Sequence, residues 1–101
     1  MADLQAYTYT DLDFTFVIDP DYCTGTIYAA FVPSSGTGVE VTTTNYNAVT
    51  GEVTVSLTQA QTATLYGIVA IQLNGIKNSK RWASDIVYVS IGNNLIGRTL
   101  S

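Results

Sequence analysis

Polar and apolar residues alternate along most of this chain with a period of two, the repeat of a strand buried on one face. Residues 12–18 show it clearly: Phe14, Phe16 and Ile18 share one face, and Asp13, Thr15 and Val17 the other. Residues 52–57 repeat the pattern, with Val53, Val55 and Leu57 inward and Glu52, Thr54 and Ser56 outward. Further strands are expected over 26–32 and 39–44, and a weaker edge strand over 4–9 with Tyr7 and Tyr9 on one face. Tyr66 to Leu73 is apolar nearly throughout, as in a central strand buried on both faces. The last strand is expected over Trp82 to Ile91, with Ile86, Tyr88 and Ser90 opposite Val87, Val89 and Ile91.

Turn residues punctuate these runs. Asp19-Pro20-Asp21 stops the second strand, because proline cannot donate to a ladder and aspartate closes local turns. Pro33 to Gly38 is a loop of turn residues, and Asn45 to Gly51 a polar turn carrying Tyr46 and Val49. Asn74-Gly75 predicts a hairpin turn, with Lys77 to Arg81 in its loop. Between Thr58 and Leu65 the period of two fails. Thr58 there can cap a single helical turn over Gln59-Ala60-Gln61. About seven strands at a spacing of roughly 8–12 residues predict an all-β, immunoglobulin-like antiparallel β-sandwich with one short helical crossover. A barrel shares that spacing. Residues 1–91 are expected to form this single domain, and 92–101 a short C-terminal tail.

Composition sharpens the picture. Among the 101 residues only 12% are charged, about half the usual share, and the net charge is −4. That balance argues against nucleic acid, whose binding needs cations to displace phosphate counterions. The uncharged run from Val53 to Ile76 could span a bilayer by length. However, Ser56, Thr58, Gln59, Gln61, Thr62 and Thr64 interrupt it, so no membrane span is expected. Met1 to Gln5 lacks the basic start and apolar run of a signal peptide. A lone cysteine, Cys23, allows no intrachain disulfide and suits a reducing cytoplasm.

Candidate chemistry is sparse. There is no histidine, so the commonest general base is missing, and no enzyme activity is expected. Asp11, Asp13, Asp19 and Asp21 flank one strand, but Asp11 and Asp19 stand at its opposite ends, about 20 Å or more apart. They cannot share one calcium ion, and no metal or other cofactor is expected. The seven tyrosines and Trp82 carry more information, because aromatics with polar tips are enriched at interfaces. Tyr7, Tyr9, Lys80, Arg81 and Trp82 are the expected contact residues. Tyr22, Tyr46 and Trp82 offer a different use, stacking on a sugar.

The order Asp13-Phe-Thr-Phe-Val-Ile-Asp19, Thr24-Gly25, Gly51-Glu-Val-Thr-Val-Ser-Leu-Thr58, Gln59-Ala-Gln-Thr62 and Leu65-Tyr-Gly67 resembles a known pattern. It is similar to the immunoglobulin-like domain at the N-terminus of phage baseplate upper proteins, over about residues 12–91. The resemblance implies a non-enzymatic phage virion structural protein: a capsid decoration, head-fibre or baseplate/tail component. It implies synthesis in the bacterial cytoplasm, residence in the virion and contacts with other virion proteins; self-association is expected from the low charge share, which leaves a single copy poorly soluble. The alternative expectation is a carbohydrate- or receptor-binding β-sandwich module, with a host-surface glycan as ligand.

Overall fold

The alternating runs become strands. The computed structural model describes residues 6–100. In chain order the strands are β1 (Leu12–Val17), β2 (Ile27–Pro33), β3 (Val39–Thr43), β4 (Tyr46–Asn47), β5 (Glu52–Leu57), β6 (Gly67–Lys77), β7 (Lys80–Ala83) and β8 (Val87–Ile91). A 3-10 turn covers Pro20–Tyr22, and the one α-helix among the described residues, α1, covers Gln59–Thr62. One sheet has the order β1-β5-β4; the other has β3-β2-β6, with β7 and β8 following one another along the far edge of β6. All these pairings are antiparallel. The chain is therefore an all-β antiparallel sandwich, with eight strands among the described residues.

The core lies between the sheets. Val53, Val55 and Leu57 of β5 meet Ile27, Ala29 and Phe31 of β2 and Val69, Ile71 and Leu73 of β6. Phe31 is fully buried, and its ring centroid lies 5.5 Å from that of Phe14 on β1. Burying each such side chain contributes about 1.5–3 kcal/mol, so the inward set dominates the stability.

The crossover from β5 to β6 is capped as its sequence predicts. The Thr58 hydroxyl accepts from the Gln61 amide, and the Gln61 side chain accepts from the Thr58 amide, a capping box. Thr62 is buried, and its hydroxyl donates to the Thr10 carbonyl while accepting from the Thr10 amide. Four helical residues are too few to stand alone, so the cap and this clasp hold them. Thr58→Ala is expected to lower stability by about 1 kcal/mol, read as a shifted urea midpoint.

Several sequence expectations are corrected. Leu4 and Gln5 of the expected 4–9 edge strand lie outside the described residues. Over the rest, Tyr7 makes one isolated parallel bridge to Gly92, and Tyr9 sits at φ 57° in a turn, so the two tyrosines do not share a strand face. The stretch 45–51 is not all turn, since Tyr46 and Asn47 pair with β5. Asn74 and Gly75 lie inside β6, opposite Ala83 and Trp82. The hairpin turn is Asn78-Ser79, both in the left-handed region at φ 52° and 64°, the backbone that a two-residue turn between twisted strands requires. Lys77, Lys80 and Arg81 thus belong to paired strands, not to a loop.

The expected last strand is two strands joined by a bulge. Gln72 and Leu73 of β6 stand opposite Ser84, Asp85 and Ile86, one residue too many on the outer chain. Ser84 stitches this point, donating from its amide to the Leu73 carbonyl and accepting the Leu73 amide on its hydroxyl. The extra residue inverts the alternation, so Trp82 faces the core although Tyr88 and Ser90 face out. β6 is central, as expected, but buried on one face only. Two sheets supply one interior, so no layer among the described residues covers the other face of β6.

Candidate functional site

Two groups of exposed or half-exposed residues stand out, and the fold positions them differently. The first is a corner built around Trp82. The Asn78-Ser79 turn brings β7 back along β6 and sets Trp82 opposite Gly75. The indole lies directly over that glycine: a Cβ there would sit 2.6 Å from the indole Nε1. A glycine inside a strand marks such a close approach. Tyr22, from the 3-10 turn, packs against the indole with ring centroids 5.4 Å apart, and the Lys77 ammonium lies 5.0 Å from the Tyr22 ring centre. Arg81 donates from Nε and Nη2 to Asn74 Oδ1.

Beside this corner an open groove of about 500 Å³ runs between the sheets. Phe16 and Ile18 wall it from β1 and its end, with Trp82 and Val87 opposite. Asp19 and Asp85 also line it. The buried Trp82 indole nitrogen has no hydrogen-bond partner among the described residues.

Of the expected contact residues, Lys80, Arg81 and Trp82 are therefore consecutive on one strand, while Tyr7 and Tyr9 lie elsewhere. Tyr7 rests on Gly92, and around it the chain ends are clipped together: the Gly92 amide donates to the Ala6 carbonyl, and the Thr8 amide to the Gly92 carbonyl. Tyr22 and Trp82 of the sugar-stacking set meet, whereas the Tyr46 hydroxyl donates to the Gly25 carbonyl and braces that loop.

The second group was not foreseen. The outer face of the larger sheet carries Tyr28 and Val32 from β2, Ile68 and Ile76 from β6, and Tyr88 from β8, all substantially exposed. Val32, Ala70 and Tyr88 form one cross-strand row, and Ile68 lies one step further along β6. Glu40 and Arg81 border a shallow depression on the same face, lined also by Tyr28 and Ile76. The signal was in the sequence as the even-numbered apolar residues of 66–76. An apolar run reads alike whether its second face meets another layer or solvent.

Three of the acidic residues brace the fold. Asp11 accepts from the Gln59 amide, Asp13 from the Ser56 hydroxyl, and Asp19 from the Asp21 amide at the start of the 3-10 turn. No cluster of ligating side chains suited to a metal exists among the described residues. No helix among them is long and apolar enough to cross a membrane.

Cys23 is a buried core residue. Burial pushes its thiol pKa up, and the negative charge of Asp19 adds to this. The folded pKa then exceeds the unfolded one, so the unfolded chain loses this proton first. The associated stability is complete below the free-thiol value of about 8.5 and falls as pH rises beyond it. Comparing urea midpoints of wild type and Cys23→Ala at rising alkaline pH checks this: the wild type is expected to lose stability faster.

Comparison with protein-family models, with curated proteins and with solved structures finds no match for this chain.

Proposed function

We propose that this chain is a non-enzymatic structural module that docks to a larger assembly, a phage virion, as a capsid decoration, head-fibre or baseplate/tail component. The observation that supports docking is the outer face of the larger sheet. Tyr28, Val32, Ile68 and Tyr88 are exposed there on adjacent strands, with no covering layer among the described residues. Exposed apolar groups that are contiguous, not scattered, mark interaction sites. Bordering charges of both signs, Glu40 and Arg81, suit a partner that must be met in one orientation. The virion as the destination rests on the resemblance of the strand-and-turn order to phage baseplate domains.

The test is incorporation. Ile68→Lys combined with Tyr88→Lys changes solvent-facing positions, so the melting temperature is expected to stay near wild type. Recovery of the protein in assembled particles is expected to fall at least about tenfold, as when interface anchors are replaced by buried charge. Undiminished incorporation of this variant would remove the outer face from the proposal.

A second reading is host-glycan binding at the Tyr22–Trp82 corner, favoured by the adjoining groove with Asp19 and Asp85 in its wall. A glycan array separates the two. Specific binding that Tyr22→Ala abolishes supports the second reading; silence of the array leaves docking alone.

A further inference from the structure

We infer that β1 is a pairing edge for a second copy of this chain, joined antiparallel about a two-fold axis at Thr15. The inference goes beyond docking through the outer face, because it concerns the smaller sheet and a different partner.

The sheet edges are unequal. β4 is only two residues long. The β7–β8 edge is broken by the bulge at 84–86 and carries Lys80, Arg81 and Asp85. β3 carries Glu40, and at its end the chain crosses to the other sheet, where the Thr43 hydroxyl donates to the Thr54 carbonyl. Short length, bulges, charge and covered ends are the usual protections of an edge against pairing. β1 has six regular residues, carries one charge, Asp13, and neither lysine nor proline, and pairs only with β5 among the described residues. Val17, near its end, is 74% exposed.

Register makes this edge self-complementary. Ile18 donates its amide to Gly51, so the even-numbered residues face β5 and the ladder alternates from there. Asp13, Thr15 and Val17 therefore turn their amides and carbonyls outward. With Thr15 opposite Thr15 of the second copy, Asp13 of each meets Val17 of the other, and every outward group gains a partner. The two Asp13 carboxylates stay apart. Two threonines face each other on the outer surface, a favourable cross-strand pair.

The same register addresses the groove. On the inner face it sets the second copy's Phe14 beside Phe16, and the second copy's Leu12 beside Ile18. Phe16 and Ile18 are the β1-side walls of the open groove whose opposite wall is Trp82 and Val87. Each copy would thus close the other's exposed seam, and the two smaller sheets would become one continuous six-stranded sheet.

Sedimentation at increasing concentration tests this, with matched charge variants. The wild type is expected to dimerise. Thr15→Lys and Thr15→Glu, both solvent-facing in the single copy, are expected to weaken dimerisation at least about tenfold each, because like charges then face each other. Mixing the two variants is expected to restore the dimer, which a folding defect could not do. In a Cys23→Ala background, Thr15→Cys is expected to form a disulfide dimer on mild oxidation, while Glu40→Cys on the β3 edge does not. A wild type that stays monomeric up to its solubility limit, or a dimer unaffected by Thr15→Lys, overturns the proposal. A dimer lost instead in the Ile68→Lys, Tyr88→Lys variant also overturns it and assigns self-association to the outer sheet face. Undiminished particle incorporation of the Ile68→Lys, Tyr88→Lys variant beside an intact β1 dimer removes the docking reading and leaves this inference standing.

Discussion

Gly51→Ala is expected to lower the stability by about 3–4 kcal/mol, a fall in melting temperature of roughly 12–30 °C for a domain of this size. Two causes add. Gly51 has φ +83°, where an L side chain is strained by about 1–2 kcal/mol. A Cβ there would also lie 2.0 Å from the Ile18 carbonyl oxygen, so backbone must move. The movement falls on a junction, because the Ile18 amide donates to the Gly51 carbonyl and the Gly51 amide to the Asn47 carbonyl. The end of β1 and the turn between β4 and β5 would loosen together. Gly25 provides the control. It has φ +63° with nothing within 4 Å of a would-be Cβ, so Gly25→Ala incurs the strain without the clash. Urea unfolding of both variants measures the difference, and equal losses would show that the clash is not the cause.

Phe31→Ala is expected to cost about 3–5 kcal/mol. Phe31 is fully buried in the larger sheet and reaches across to Phe14 of the smaller one. Its removal leaves a cavity at the contact that joins the layers. Phe31→Leu keeps most of the volume and is expected to cost about 1.5 kcal/mol or less. A cycle with Phe14→Leu should give about 0.5–1.5 kcal/mol of coupling between the rings, from equilibrium unfolding of the single and double variants. Absent coupling would reduce the pair to independent burial.

What the chain reveals before folding depends on whether local chemistry and tertiary structure agree. Phe14 and Phe16, and Val53 to Leu57, announce their strands because one face is buried and the other wet. Thr58 announces its cap because the cap is a contact between near neighbours. Asn74-Gly75 misleads because the glycine is needed for a different reason: the indole of Trp82 rests on it. The turn itself uses Asn78-Ser79, where serine in the left-handed region gives no glycine signal. The bulge is hidden because Ser84-Asp85-Ile86 fits an alternating strand until the partner strand is known. Of the candidate contact residues, Lys80, Arg81 and Trp82 were legible as a basic and aromatic cluster. The outer sheet face was not, since nothing local distinguishes an apolar residue covered by a layer from one left bare.

The bulge at Ser84 to Ile86 also sets how this chain tolerates changes of length. Loss of one residue there would leave two residues opposite Gln72 and Leu73, so the strand would run on without a bulge and Trp82 would still stand opposite Gly75, facing the interior. The same loss between Ser34 and Gly38 shortens an exposed loop and rephases nothing. Lineages of this fold should therefore vary in length at 34–38 and carry either three residues or two at 84–86, with Trp82 facing the core in both.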